Sequence, residues 1–184
     1  MLAKGFGKSL VKRYFVNPDT NQVEEHFHIE QKPWSVVLAV TDDREVLVVR
    51  QFKQGAEKIL DELPAGTADW ADESPIQVMS RELRQETGYE AGIVEPLAPQ
   101  WMSTRNSRTR FYPFLALGCR KVGEAVWDTQ EQIEPRAVEL EVWLRMVFLG
   151  QVEEPSAIVA TMLSLPALLK AGVLDPEDVA RAAG

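Results

Sequence analysis

The chain of 184 residues predicts an α+β fold, a mixed β-sheet sandwiched between helices with an N-terminal β-hairpin extension. Three observations lead there. Strand-like segments stand on both sides of one amphipathic helix, that helix carries its own start and stop signals, and the last third of the chain turns from alternating to helical spacing.

Residues 9–16 and 23–30 alternate apolar and polar side chains around Asn17-Pro18-Asp19-Thr20-Asn21, which predicts a hairpin. Strands follow at 34–41 and 45–51, joined at Asp42-Asp43, and a loop leads on to a helix over 75–87. Ser74 suits its N-cap, Pro75 its first position, and Gly88 a left-handed C-terminal cap. Ile76, Met79 and Leu83 recur at spacings of three and four, so this helix presents an apolar stripe to a core. Strands are expected at 91–96, 110–117 and 138–143, and helices at 144–150 and 156–171. With no internal repeat or low-complexity linker, the chain divides into a hairpin extension, 1–32, and one main domain, 33–184.

A hydrophobic content of 45% suffices for one sizeable core. A formal charge of −8 argues against general nucleic-acid binding, which needs clustered cations. The longest uncharged stretch, 155–169, is too short to span a bilayer and contains Pro166, so no membrane role is expected. The single Cys119 forms no disulfide or zinc pattern, and no signal-peptide pattern is evident; a cytoplasmic location is expected. His26 and His28 read as ordinary strand residues.

The chemistry concentrates after Leu63. Glu82 and Glu86 stand four apart, one turn above each other, an arrangement that costs a bare helix about 0.2–0.5 kcal/mol. Two readings offset that cost. Arg81 and Arg84 make the face an ordinary solvated one, or the carboxylates share a cation such as Mg²⁺, which keeps several waters and bridges to substrate phosphates. A backbone carbonyl of the Pro64-Ala65-Gly66 loop would complete the second arrangement.

Gly66, Glu73, Arg81, Glu82, Leu83, Glu86 and Gly88 together resemble the signature of the Nudix hydrolases. Two departures stand out. Six residues rather than five separate Gly66 from Glu73, and Gln85 replaces the first Glu of the usual pair, exchanging a carboxylate for an amide that still hydrogen-bonds a metal-bound water. The flanking VLVVRQFKQGAEKILDELPAG resembles the ADP-ribose and nucleoside diphosphate sugar pyrophosphatase branch.

The resemblance implies Mg²⁺, with Mn²⁺ as a substitute, held by the Ala65 carbonyl with Glu82 and Glu86, and with Gln85 beside them. It implies a structural pairing of Arg81 with Glu73, and substrate contacts from Arg50 and Lys53. The acidic segment 127–134 resembles the loop that carries the catalytic base: Glu131 aligns best and Glu134 is the reserve. The basic run 103–110 offers Arg105 and Arg108 to phosphate or sugar oxygens, or is a solvated turn. Phe27 and Trp34 are candidates for stacking on a nucleobase or for core packing. A homodimer built through the N-terminal hairpin is also implied. The activity implied is hydrolysis of a nucleoside diphosphate sugar, such as ADP-ribose or GDP-mannose, to a nucleoside monophosphate and a sugar phosphate. Hydrolysis of nucleoside triphosphates or dinucleoside polyphosphates, and a non-catalytic nucleotide-binding regulator, are the alternatives.

Overall fold

The computed structural model describes residues 2–5, 7–126 and 133–184. The N-terminal strands β1 (Ala3–Gly5), β2 (Lys8–Val16) and β3 (Val23–Gln31) form a three-stranded antiparallel sheet of their own. The hairpin turn is closed by Asn17, whose side-chain oxygen accepts from the Asp19 and Thr20 amides, with Asn21 at positive φ.

The second sheet comprises β4 (Trp34–Thr41), β5 (Glu45–Lys53), β6 (Lys58–Glu62), β7 (Ala65–Thr67), β8 (Tyr89–Glu90), β9 (Ile93–Pro96), β10 (Gln100–Trp101), β11 (Arg110–Lys121) and β12 (Ile133–Glu139). Its spine runs β10-β11-β4-β5-β12, with β6 on β5, β7 on β4, and β8 and β9 on β11. Among the described residues of this sheet only the β11–β4 pairing is parallel.

Central strands β4 and β5 are buried on both faces, and their alternation feeds two cores. Val37, Ala39 and Leu47, with Phe114 and Ala116, meet Met79 and Leu83 of α1 (Pro75–Thr87) on one face. On the other, Val36, Leu38, Val46 and Val48 meet α2 (Leu140–Phe148), α3 (Pro155–Lys170) and α4 (Pro176–Ala183) through Trp143, Leu144, Ala160, Leu168 and Ala182. The buried Trp143 indole donates to the Thr161 hydroxyl at 2.9 Å, so its one polar atom is satisfied. The mixed sheet between helices is the predicted fold.

One predicted boundary is corrected. Residues 138–143 were expected as strand, but β12 ends at Glu139 and Leu140 opens α2. Leu140, Trp143, Leu144 and Val147 recur at three and four and are all buried, so helical spacing prevails over the short alternation before it. Among the described residues no helix is long and apolar enough to cross a membrane.

The N-terminal sheet meets the main one through the end of β3. Ile29 forms a bridge with Ser107 and donates to the Asn106 carbonyl at 2.8 Å, while Thr109 Oγ1 donates to the Gln31 carbonyl at 3.2 Å.

Candidate metal-binding site

Helix α1 occupies the predicted span, and its ends explain why. Gln77 Oε1 accepts from the Ser74 amide at 2.9 Å, and Gly88 closes the helix at φ 79°, its amide donating to the Arg84 carbonyl at 2.9 Å. A Cβ on Gly88 would also lie 2.3 Å from the Gly123 carbonyl oxygen. Glycine thus lets residues 122–126 approach the helix end, where Val122 donates to the Gly88 carbonyl and Val126 to that of Gln85.

With Met79 and Leu83 buried in the sheet, α1 turns Glu82 and Glu86 toward the loop entering β7. That loop is fixed from the sheet side by Val37, whose amide donates to the Pro64 carbonyl at 3.0 Å. Buried Glu86 accepts from the Ala65 amide at 3.0 Å through Oε2. The Glu82 carboxylate fills the space over Gly66: a Cβ there would lie 1.8 Å from its Oε1. Ala65, Glu82 and Glu86, named from the resemblance, are therefore brought together.

Arg81 organises the flank of this cradle. It grips Glu73 with Nε to Oε1 at 2.8 Å and Nη2 to Oε2 at 3.2 Å, and also donates to the Thr67 carbonyl, Glu82 Oε1 and Gln85 Oε1 at 2.8, 2.8 and 3.0 Å. The hydrogen bond from Arg81 holds the Glu73 carboxyl below the usual carboxylate range, and the same bond raises the guanidinium. Gln85 thus spends its amide oxygen on Arg81.

Among the described residues no three His, Cys, Asp or Glu side chains stand close enough to hold a metal ion on their own. Two carboxylates facing a main-chain loop nevertheless fit Mg²⁺, which typically takes one or two carboxylates and completes its shell with water and substrate phosphate oxygens. The Gly66 cradle, which any side chain would fill, is the observation that supports the fit.

Most of the other expected residues are engaged elsewhere in the fold. Lys53 Nζ is 2.8 Å from Glu62 Oε2, and Arg50 Nε is 3.8 Å from Asp61 Oδ1, both across the β5–β6 hairpin. Glu62 is buried; that burial pushes its carboxyl up against the opposing effect of Lys53, and its Oε1 has no hydrogen-bond partner among the described residues. Arg50 also faces Glu134 in the β5–β12 ladder, but the Glu134 carboxylate accepts from Arg136 Nε at 3.0 Å. Glu131 lies outside the described residues. Arg105 and Arg108 are exposed in the segment that meets β3, and Phe27 is exposed on β3 with Lys12 Nζ 5.6 Å from its ring centre. Trp34 stacks on Phe111 at 5.2 Å and 20° and packs against the larger core, so that ring face is closed to a base.

Sequence reasoning did not single out Glu62, which carried a signal, an acidic residue directly before Leu63-Pro64-Ala65.

Comparison with known proteins places the chain among relatives. The chain is 33% identical over 112 residues to an ADP-ribose pyrophosphatase of Bacillus subtilis (strain 168), covering 60% of each. It is 33% identical over 104 residues to an ADP-ribose pyrophosphatase of Mycobacterium tuberculosis, covering 56% of this chain and 48% of that one. The aligned region thus spans only about half to 60% of these two relatives. A methanol dehydrogenase activator of Bacillus methanolicus is 26% identical over 136 residues, 73% of each. A crystal structure described as an ADP compounds hydrolase shares the fold, with a TM-score of 0.79 over 94% of this chain and 92% of that one at 16% identity. The NUDIX domain model matches residues 31–154, well over half of the chain and including the whole cradle, and the protein belongs to the Nudix family.

Proposed function

We propose that this protein is a Mg²⁺-dependent pyrophosphatase that cleaves a nucleoside diphosphate sugar, with ADP-ribose the first candidate. The observation that carries the reading is the convergence of Glu82 and Glu86 on the Ala65–Gly66 main chain. Similarity to two ADP-ribose pyrophosphatases supports the choice of substrate.

In this reading the Ala65 carbonyl, Glu82 and Glu86 hold the cation, and Mn²⁺ can replace Mg²⁺. When bound, the cation spreads the charge that develops on the phosphoryl oxygens. Arg81 keeps the Glu82 carboxylate on its side of the cradle, and Gln85 supports that guanidinium instead of acting as a further anionic ligand. Lys53 and Arg50, with Arg105 and Arg108 from the basic segment, neutralise the remaining phosphate charge. Water attacks one phosphorus, the bridging P–O bond breaks, and a carboxylate of the acidic segment 127–134 takes the water's proton; Glu131 fills that role, and Glu134, near the start of β12, is the reserve. The N-terminal sheet, which exposes Tyr14, Phe15, Val16, Val23 and Phe27, pairs with a second copy to form a homodimer that works in the cytoplasm.

Incubation with Mg²⁺ and ADP-ribose, GDP-mannose, nucleoside triphosphates or dinucleoside polyphosphates, followed by chromatography, tests the activity. AMP and ribose 5-phosphate from ADP-ribose are expected in equal amounts. Turnover of triphosphates far above that of every nucleotide sugar would overturn the assignment.

A further inference from the structure

Gln85 stands where the Nudix signature has the first of its paired glutamates. It is exposed, three residues after Glu82 and four after Arg81, so its side chain reaches both. Its amide oxygen accepts from Arg81 Nη1 at 3.0 Å, and the same Nη1 donates to Glu82 Oε1 at 2.8 Å. A guanidinium is thus wedged between the altered signature position and the carboxylate that lies over Gly66.

Arg81 has little freedom to leave that place. Its Nε and Nη2 grip Glu73, Nη2 also donates to the Thr67 carbonyl, and the Trp70 ring lies 5.8 Å from the guanidinium carbon. Asp69 adds a contact to Nη1 at 3.4 Å, and the Arg81 side chain is only 16% exposed. Because a guanidinium stays protonated in proteins, Arg81 is a fixed positive charge beside the cradle.

The charges of the cluster can be counted. Glu73, Glu82 and Glu86 carry three negative charges against the one positive charge of Arg81. Lys32, which donates to the Ala68 carbonyl at 2.7 Å, offsets Asp69, and Arg84 is paired with Glu90. Among the described residues, the charge left over is minus two, which one divalent cation neutralises. In sites that hold two such cations, the ions stand about 3.5–4 Å apart. Their mutual repulsion at that distance has to be offset by surplus anionic ligands. Here the position that would supply one carries a neutral amide, and the amide oxygen is committed to Arg81.

We propose that Arg81, held at the cradle by Gln85, takes the place of a second divalent cation, so that the side chains of this protein bind a single metal ion. The exchange of a carboxylate for an amide at 85 is then a change of metal stoichiometry, with an internal cation serving where a dissolved one would otherwise be recruited. The proposal rests on the metal site of the reading above and not on its choice of substrate.

The test counts Mn²⁺ bound to the whole protein by equilibrium dialysis and reads the bound ions by paramagnetic resonance. Wild type, Gln85→Glu and Arg84→Glu are compared, each checked by thermal unfolding, and sites are assigned to the cradle where Glu86→Gln weakens them. The wild type is expected to hold one such Mn²⁺ per chain, with the spectrum of an isolated ion. Gln85→Glu is expected to hold a second, with the broadened spectrum of a coupled pair, whereas Arg84→Glu, which makes the neighbouring position acidic, gains none. Two cradle sites in the wild type, no gain in a folded Gln85→Glu, or an equal gain in Arg84→Glu would each overturn the proposal, and the wild-type count stands whether or not a variant folds. A wild type that holds no Mn²⁺ in the cradle would overturn both the proposal and the metal site beneath it. One Mn²⁺ bound without hydrolysis of any nucleotide sugar would overturn the activity alone.

Discussion

Substituting Gly66 by Ala separates metal capture from folding. The added Cβ would sit 1.8 Å from Glu82 Oε1, 2.1 Å from Cδ and 2.7 Å from Cγ, where ordinary contact begins at 3.4 Å. The carboxylate must therefore retreat by about 1.6 Å. Mg²⁺ binds oxygen at about 2.0–2.1 Å with little tolerance for distorted geometry, so a displacement of that size removes Glu82 as a ligand. What must move is the flexible end of one side chain, not backbone, so the fold should tolerate the change. Disturbing even the partners of metal ligands costs about 10- to 100-fold in affinity, and losing a ligand should cost at least as much. In a titration of activity against Mg²⁺, Gly66→Ala should raise half-saturation tenfold or more while its Tm stays within a few degrees of the wild type. An unchanged metal dependence, or a collapse in Tm with the metal response intact, would refute the reasoning.

Other outcomes follow from the buried charges. Glu73→Gln leaves Arg81 without its two-point partner and should destabilise the fold by about 1.5–3 kcal/mol at neutral pH in chemical denaturation. Because Arg81 lowers the folded-state pKa of Glu73, that difference is full above the ordinary carboxylate pKa and shrinks as pH falls through the lower folded value. Glu62 has the opposite sign: burial raises its folded pKa, so the stability of the wild type relative to Glu62→Gln should rise as pH falls from that raised value toward the ordinary one. Denaturation curves across this acid range that show no such gain would contradict it. Burial pushes the Cys119 thiol up to about 12, so a thiol reagent at pH 8 should modify the native protein far more slowly than the denatured chain.

What was legible in the sequence follows from where local chemistry decides structure. Helix α1 could be placed because Ser74, Pro75 and Gly88 are local signals that act at its ends, and β4 because its apolar run is bounded by Pro33 and Asp42. Strands β6 and β7 escaped notice, since Lys58–Glu62 and Ala65–Thr67 are short and carry no alternation; partners in β5 and β4 define them. Helix α4 was legible and overlooked: Asp175 caps it, Pro176 begins it, and Asp178 closes the capping box. In the site, the four-residue spacing of Glu82 and Glu86 was visible, but their meeting with Ala65 and Gly66 depends on tertiary docking. The engagement of Lys53 by Glu62, and of Trp34 by Phe111, likewise required the fold.

The central claim, that two carboxylates on successive turns of α1 hold a divalent cation against the Ala65–Gly66 loop, is tested most directly by paramagnetic resonance of free Mn²⁺ titrated into the protein. Glu82→Gln and Glu86→Gln should each leave markedly more Mn²⁺ free than the wild type at equal concentrations, with both variants folded. Identical Mn²⁺ binding curves for the wild type and both variants would contradict the account.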